Sequence, residues 1–153
     1  MRRLSEVGLA LPPPPAVLAS YLPVVESGDW AFVSGQVPMR EGNLLHPGHL
    51  GDRISISDGA EAAGQSALQA LSALRASVGN TFEPIRRIVQ VTVYVASTPD
   101  FEEHPQVANG ASDLLEAALG DDGRHSRAAV GVASLPLGSC VEVALIAELM
   151  RSA

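Results

Sequence analysis

The chain has 153 residues, which is typical of one domain with a substantial core, and only 4% of them are aromatic, so Ala, Val and Leu must fill that core. The formal charge is −7, with arginine as the only strongly basic residue type, and this negative excess repels phosphate backbones and argues against nucleic acid as a partner. The single cysteine, Cys140, excludes an internal disulfide and a cysteine-built zinc site, and no apolar run approaches the ~18 residues of a membrane span. We therefore expect a soluble, cytoplasmic protein in which Cys140 is a buried, inert thiol.

Residues 1–20 resemble an N-terminal arm, because the four prolines from Pro12 to Pro15 favour an extended polyproline II conformation. A β-hairpin is predicted next, with strands at 21–25 and 30–33 on either side of a polar turn. Ser34-Gly35 ends the second strand, and the glycine there permits a bulge or a close backbone approach.

The stretch 39–57 is rich in glycine and polar residues and contains two histidines, His46 and His49. Histidines three residues apart can bind a metal on a helix, but Pro47-Gly48 breaks a helix between them, and no third ligand is evident nearby. The pattern therefore favours a surface loop over a zinc site.

A helix is predicted from Asp58, as the N-cap, to about residue 78, because apolar residues recur there at three- and four-residue spacing. The next segment, 86–97, is the clearest strand in the sequence. Strict alternation along it would place four valines on one face, namely Val89, Val91, Val93 and Val95.

The second helix is predicted over 105–120, with Asn109 in its early turns, and two strands follow at about 127–133 and 140–149. The order β-β-α-β-α-β-β predicts an α+β fold, one domain over 1–153, with both helices on one face of a single sheet. Two helices cannot cover both faces of that sheet, and its strands stay apolar on both, so we expect a neighbouring subunit to cover the other face.

The two last strands carry one charge each, Arg127 and Glu142, in an otherwise apolar stretch. If these strands pair, alternation can place both charges on one face among the small residues Ala129, Gly131 and Ala144. The planar guanidinium matches the two oxygens of a carboxylate, and partial burial raises the pKa of a glutamate toward acid–base use. The residues alone leave two interpretations open: a pocket for a small anion, or a structural Arg–Glu salt bridge.

Several segments, in this order along the chain, resemble the reactive-intermediate deaminase (Rid/YjgF) family, also called endoribonuclease L-PSP: SGQVP at 34–38, the alanine-rich helix, VTVYV at 91–95, and SRAAVGVASLP with VEVALIA near the end. The resemblance covers nearly the whole chain from residue 21 onward. It implies a chorismate-mutase-like α+β fold, assembled as a homotrimer with ligand clefts between subunits. It also implies hydrolysis of reactive enamines and imines, such as 2-aminoacrylate and its 2-imino acid tautomer, to 2-oxoacids and ammonia without a cofactor or a metal.

The resemblance also implies roles for particular residues. Arg127 matches the arginine that holds the substrate carboxylate, and Glu142 matches the glutamate that positions or activates the attacking water. Tyr21, Ser34 and Asn109 match residues that line the cleft. Considered without the resemblance, these three are equally an interface aromatic, a strand-end cap and a helix-surface amide.

The chain also departs from the family pattern. Many members have a cysteine where this chain has Ala129, and a second acidic residue where it has Ala144. His125 lies beside Arg127 and could titrate or contact a ligand, although a solvated loop histidine is the simpler interpretation. Two other functions remain open: a non-catalytic sensor of small carboxylates in the same cleft, and a ribonuclease, which the charge of −7 disfavours.

Overall fold

The computed structural model describes residues 4, 6, 8–16 and 20–150. They form a five-stranded mixed sheet, a separate two-stranded hairpin and two long helices packed on one face of the large sheet. In chain order the elements are β1 (Val24–Ser27), β2 (Trp30–Gln36), β3 (Met39–Arg40), β4 (Asn43–Leu44), α1 (Ile56–Ser77), β5 (Ile85–Ala96), α2 (His104–Leu119), β6 (Ser126–Val132) and β7 (Val141–Leu149). The predicted α+β class and the placement of both helices are confirmed, and the short β3–β4 hairpin is an addition.

Helix α1 begins at a side-chain cap, because the Ser55 hydroxyl oxygen accepts the backbone N–H of Asp58 at 3.1 Å. The prediction of Asp58 as the N-cap is therefore wrong by one turn. Asp58 lies instead in the first turn, where its negative charge interacts favourably with the positive end of the helix dipole. The helix ends as predicted, with Gly79 in the left-handed region at φ +88°.

The strict alternation predicted for β5 is wrong at its start. The register with β7 shifts between Ile88 and Gln90, so that Val89 is the extra residue of a β-bulge. Ile88 then lies opposite Ala147 and is fully buried with the core valines of the strand. An inserted residue changes which side chains face inward, and the local sequence pattern contains no sign of it.

The strand order is β1-β2-β7-β5-β6, with β5 parallel to β6 and antiparallel to β7. The two last strands therefore do not pair, because β5 lies between them. Helix α2 connects β5 to β6 as a crossover, and such a connection returns the chain parallel to the strand it left. Strand β7 pairs with the other edge of β5, and β2 pairs with the edge of β7 that faces away from β5.

The two faces of the sheet differ in what covers them. On the helix face, alternate residues of β7 are almost completely buried, and α1 packs against this strand, while α2 packs against β5 and β6. No element of the described chain covers the other face, which we call the open face, and Phe32 and Val130 are 45% and 41% exposed there. No helix among the described residues is both long enough and apolar enough to cross a membrane.

The predicted N-terminal arm falls partly outside the described residues, at 1–3, 5, 7 and 17–19. Its described part packs against the domain. Leu4 is buried, Leu9 and Leu11 pack against the core, and the Pro12 carbonyl accepts the Ser72 hydroxyl of α1 at 2.6 Å. These contacts make the described part of the arm a layer on α1.

Candidate functional site

The two charged residues of the last strands lie on opposite faces of the sheet. Arg127 is in register with Val91 of the parallel neighbour, whose side chain is buried beneath the helices, and side chains in register on adjacent strands point the same way. Glu142 is in register with Tyr94, on the open face. The prediction that both could share one face is therefore wrong, and the alternative of a salt bridge between them within the chain is wrong as well.

The guanidinium of Arg127 is held by the first turns of α2. One nitrogen, Nη1, donates to Asn109 Oδ1 at 2.8 Å and to Ser112 Oγ at 3.1 Å, and Nη2 lies 3.5 Å from the Pro105 carbonyl oxygen. Asn109 and Ser112 are three residues apart, so a helix presents both on one face. That spacing is a signal by which the sequence could have identified Ser112. Asn109 is therefore an exposed amide on the surface of α2, as the alternative interpretation had it, and its side-chain oxygen also accepts a hydrogen bond from Arg127.

His125 supports this arrangement from the side of the loop. Its Nδ1 lies 2.6 Å from the Gly123 carbonyl oxygen, which only accepts, so Nδ1 carries the hydrogen. In the neutral ring Nε2 then accepts the Ser112 hydroxyl at 2.9 Å. The interpretation of His125 as a solvated loop residue is wrong, because the ring is half-buried and both nitrogens are engaged. A cavity of about 210 Å³ adjoins the chain His125–Ser112–Arg127.

Glu142 lies over a glycine on the neighbouring strand. The register of β2 with β7 shifts between Val33 and Gln36, which confirms the predicted irregularity at Ser34-Gly35. A Cβ at position 35 would lie 2.7 Å from Glu142 Cδ, so a side chain there would displace the carboxylate. The carboxyl is half-buried, and burial raises its pKa above the ordinary value. No described residue donates a hydrogen bond to it.

Tyr21 and Ser34 lie at the same bulged end of β2. The Ser34 hydroxyl donates to the Leu22 carbonyl at 2.7 Å, and the Ser34 backbone N–H donates to the Pro23 carbonyl at 2.9 Å. These bonds join the segment before β1 to β2, which agrees with a structural role for Ser34. Tyr21 is 51% exposed. The structure thus places Ser34 beside Gly35, which contacts Glu142, with Tyr21 next to the Leu22 that Ser34 bonds, and it brings Arg127 and Asn109 together elsewhere.

The raised pKa of Glu142 predicts how stability depends on pH. Because the Glu142 carboxyl has a higher pKa in the folded state than in the unfolded state, the folded state binds the proton more tightly. The protein therefore loses stability as the pH rises from the unfolded-state pKa of Glu142, about 4.5, through its folded-state pKa. We expect the Glu142→Gln variant to have the same melting temperature as wild type below pH 4.5 and a higher melting temperature than wild type at neutral pH. Thermal melts across this range measure the difference.

The matched control is Glu148→Gln, on the same face of β7. Glu148 Oε1 receives Arg86 Nη1 at 3.1 Å, so removing this charge should lower the melting temperature slightly at neutral pH rather than raise it. A Glu142→Gln difference that is the same at every pH would contradict the raised pKa.

One cluster has the ligand types of a metal site. His46, Asp58 and Glu61 offer ligand atoms within 4.8 Å of one another, so a third candidate ligand does lie near His46 in space, whereas the sequence showed none. However, Arg40 Nη1 already contacts Glu61 at 3.0 Å, and His46 Nε2 contacts the other oxygen at 2.7 Å. These contacts lower the pKa of the Glu61 carboxyl, and the hydrogen bond with His46 makes the largest contribution. The cluster therefore acts as an ion-pair network that joins the loop after β4 to α1.

His49 and Cys140 lie apart from both groups. The Nε2 atom of His49 lies 2.8 Å from the Ala133 carbonyl oxygen, which attaches the loop to the chain after β6. Burial raises the pKa of the Cys140 thiol to about 11, as expected for an inert buried cysteine.

The mixed sheet with two helices on one face defines the class of protein as a chorismate-mutase-like α+β fold. The family described as "YjgF/chorismate mutase-like, putative endoribonuclease" matches residues 1–149, and the chain belongs to this family. The match includes the N-terminal arm, so it extends beyond the resemblance that the sequence motifs show from residue 21 onward. Proteins of this family are generally oligomeric and bind small ligands.

Several relatives align over most of the chain. Protein TCP17 of Trypanosoma cruzi is 41% identical over 147 residues, which cover 95% of this chain and 91% of that protein. The crystal structure of Atu1372 from Agrobacterium tumefaciens, a protein of unknown function, has a TM-score of 0.91 at 39% identity, covering 98% of this chain and 92% of that one. A crystal structure from Shewanella oneidensis, described as a "putative endoribonuclease", has a TM-score of 0.92 at 36% identity and covers 97% of both chains.

Proposed function

We propose that the protein hydrolyses reactive 2-imino acids and their enamine tautomers, such as 2-aminoacrylate, to 2-oxoacids and ammonia in clefts between copies of the chain. The observation that carries this proposal is the position of Arg127 and Glu142 on opposite faces of one sheet. Two copies bring them together when the open face of one packs beside α2 and β6 of the next. A homotrimer closes such a head-to-tail arrangement into a ring with three equal clefts.

The open face supports this assembly, because its exposed residues are largely apolar. Val25 and Phe32 lie opposite each other on β1 and β2, at 49% and 45% exposure, and Val130 is 41% exposed on the far strand. Ala144 and Ile146 lie between them on β7. A contiguous apolar face of this kind is typical of a subunit interface, and covering it removes apolar surface from water.

The chemistry suits the residues present. An iminium carbon is already electrophilic, so water adds to it without a strong nucleophile once the reactants are positioned. Arg127, aligned by Asn109 and Ser112, holds the carboxylate of the ligand. Glu142 takes a proton from the attacking water as the C–O bond forms and returns it to the nitrogen. The C–N bond then breaks, and the hydroxyl proton passes to the departing ammonia, which leaves as ammonium while the carbonyl forms.

A second function, a non-catalytic sensor of small carboxylates, is supported by one feature of this chain. Ala129 and Ala144 stand where many family members carry a cysteine and a second acid, so two side chains that could assist Glu142 in acid–base chemistry are replaced by alanine. Endoribonuclease activity, named in the family description, is disfavoured by the charge of −7 and by the absence of a basic surface run in the sequence. Binding of 2-oxoacids without turnover of imines would establish the sensor.

The test is complementation between two inactive variants. An amino-acid oxidase generates the imine, and release of 2-oxoacid is followed for Arg127→Ala, for Glu142→Ala and for the two chains co-expressed. A site shared between copies leaves about a quarter of the clefts intact after random assembly, so the mixture should recover about a quarter of wild-type activity.

The control mixes wild type with the double variant Arg127→Ala/Glu142→Ala. A shared site again predicts about a quarter of full activity, whereas a site within one chain predicts about half. No recovery in the first mixture, together with half activity in the second, would refute the shared cleft.

A further inference from the structure

We propose that the cavity between the start of α2 and the ends of β5 and β6 binds the side chain of the ligand. It would select 2-imino and 2-oxo acids with a bulky, mainly apolar side chain that ends in an uncharged hydrogen-bonding group. The inference rests on the proposed function, because it takes Arg127 as the site of the ligand carboxylate. The cavity has a volume of about 430 Å³, and its lining includes Ser97, Phe101, His104, Gly131 and Val132.

The cavity lies along the same two elements, α2 and β6, that hold the guanidinium, although Arg127 itself lines the separate cavity of about 210 Å³. Arg127, Ala129 and Gly131 alternate along the helix face of β6, so small residues lead from the guanidinium to the cavity. On the side of α2, Arg127 Nη2 approaches the carbonyl of Pro105, the residue that follows His104. In this proposal, a ligand whose carboxylate contacts Arg127 extends its side chain along the edge strand β6, past Ala129, toward His104.

The imidazole of His104 is held in place at the wall of the cavity. Its Nε2 lies 3.4 Å from Ser97 Oγ, and its ring meets Phe101 edge-on, with centroids 5.1 Å apart and planes at 73°. A hydrogen bond as long as 3.4 Å is weak, so a ligand hydroxyl can replace or join it at little cost. The Ser97–His104 pair is thus a polar end to a cavity with partly apolar walls.

Gly131 makes room for this pair. A Cβ at position 131 would lie 2.6 Å from His104 Nε2 and 2.9 Å from Ser97 Oγ, closer than a side chain can approach. A larger residue there would displace the imidazole and reduce the cavity. The glycine in this strand is therefore explained by the space that His104 needs.

Size and charge narrow the ligand class. A cavity of about 430 Å³ lies in the size range of small-molecule sites. Its volume is far larger than the single carbon atom in the side chain of 2-aminoacrylate would fill. Phe101 and Val132 suit an apolar stem, whereas Ser97 and His104 suit a hydroxyl or amide at its end. Three exposed acids on the adjoining loop, Asp100, Glu102 and Glu103, disfavour a second carboxylate on the ligand.

The test is calorimetric titration of wild type with four 2-oxoacids: pyruvate, phenylpyruvate, 4-hydroxyphenylpyruvate and 2-oxoglutarate. We expect 4-hydroxyphenylpyruvate to bind about tenfold more tightly than pyruvate, phenylpyruvate to bind with intermediate affinity, and 2-oxoglutarate to bind no better than pyruvate. His104→Ala should remove the advantage of the hydroxyl and leave the affinity for pyruvate unchanged. His104→Gln, which keeps a hydrogen-bonding side chain, should restore part of it.

Two further variants complete the design. Gly131→Val should weaken binding of both aromatic acids and spare pyruvate, and Gln106→Ala, an exposed residue in the first turn of α2, should change nothing. Equal affinity for all four acids, or an advantage of the hydroxyl that survives in folded His104→Ala, would overturn the subsite alone. Failure of wild type to bind any 2-oxoacid would instead overturn the carboxylate role of Arg127 and hence the proposed function.

Discussion

Replacing Arg127 with alanine should lower kcat/KM for imine hydrolysis by about a thousandfold. A bidentate guanidinium–carboxylate contact contributes two charge-assisted hydrogen bonds, each worth about 1.5–3 kcal/mol, and alanine removes both. The loss should fall on every 2-imino acid alike, because all share the carboxylate. Steady-state rates with imines of several amino acids, together with 2-oxoacid titrations, measure it.

Two variants distinguish the loss of this contact from a general effect. Arg127→Lys keeps the charge but not the planar fork, so it should recover only a minor part of the rate. Arg86→Ala is the control, because Arg86 is an exposed arginine that pairs with Glu148 and lies away from the cleft residues in the sheet. This variant should hydrolyse imines at a rate near that of wild type. Equal rates for wild type and Arg127→Ala would refute the enzymatic function.

Replacing Gly110 with alanine should lower the free energy of unfolding by about 3 kcal/mol. Gly110 lies where α2 crosses α1, and an added Cβ would overlap the Ala60 carbonyl group, 2.6 Å from its carbon. The obstacle is the backbone of α1, so the two helices must separate before a methyl group fits. For a chain of this length we expect a fall in melting temperature of about 6–12 °C.

The sign of this effect makes the test decisive. In an isolated helix the same substitution would stabilise by about 1 kcal/mol, because alanine has the higher helix propensity. Asp113→Ala, at an exposed position one turn later in α2, provides the control and should change stability little. A Gly110→Ala protein as stable as wild type would contradict the close packing of the helices.

Local patterns predicted most of the secondary structure. Both helices and the strands over 86–97, 127–133 and 140–149 lie within a residue or two of their predicted places, because apolar periodicity and terminal residues act over neighbouring positions. The irregularity at Ser34-Gly35 and the buried thiol of Cys140 were also predicted correctly. The misses were the N-cap, the first strand, which was predicted at 21–25 and lies at Val24–Ser27, and the short hairpin β3–β4. The bulge at Val89 was also missed, and there one extra residue changes which side chains face inward.

Tertiary structure alone decided how the candidate residues are grouped. Alternation assigns a side chain to one face of its own strand, but it contains no information on which strand lies next to it. That choice depends on the crossover through α2, which makes β6 the parallel neighbour of β5 and leaves β7 on the other side. For the same reason the contact of His125 with Ser112 followed from the fold and not from the sequence.

The sequence by itself thus determined the fold class, the family resemblance and the identity of the charged residues, Arg127 and Glu142. The tertiary structure decided that these two face opposite sides of one sheet, with the open face uncovered in the described chain. The physical reason is that periodicity reports local orientation, whereas strand order results from pairing between segments distant in the chain.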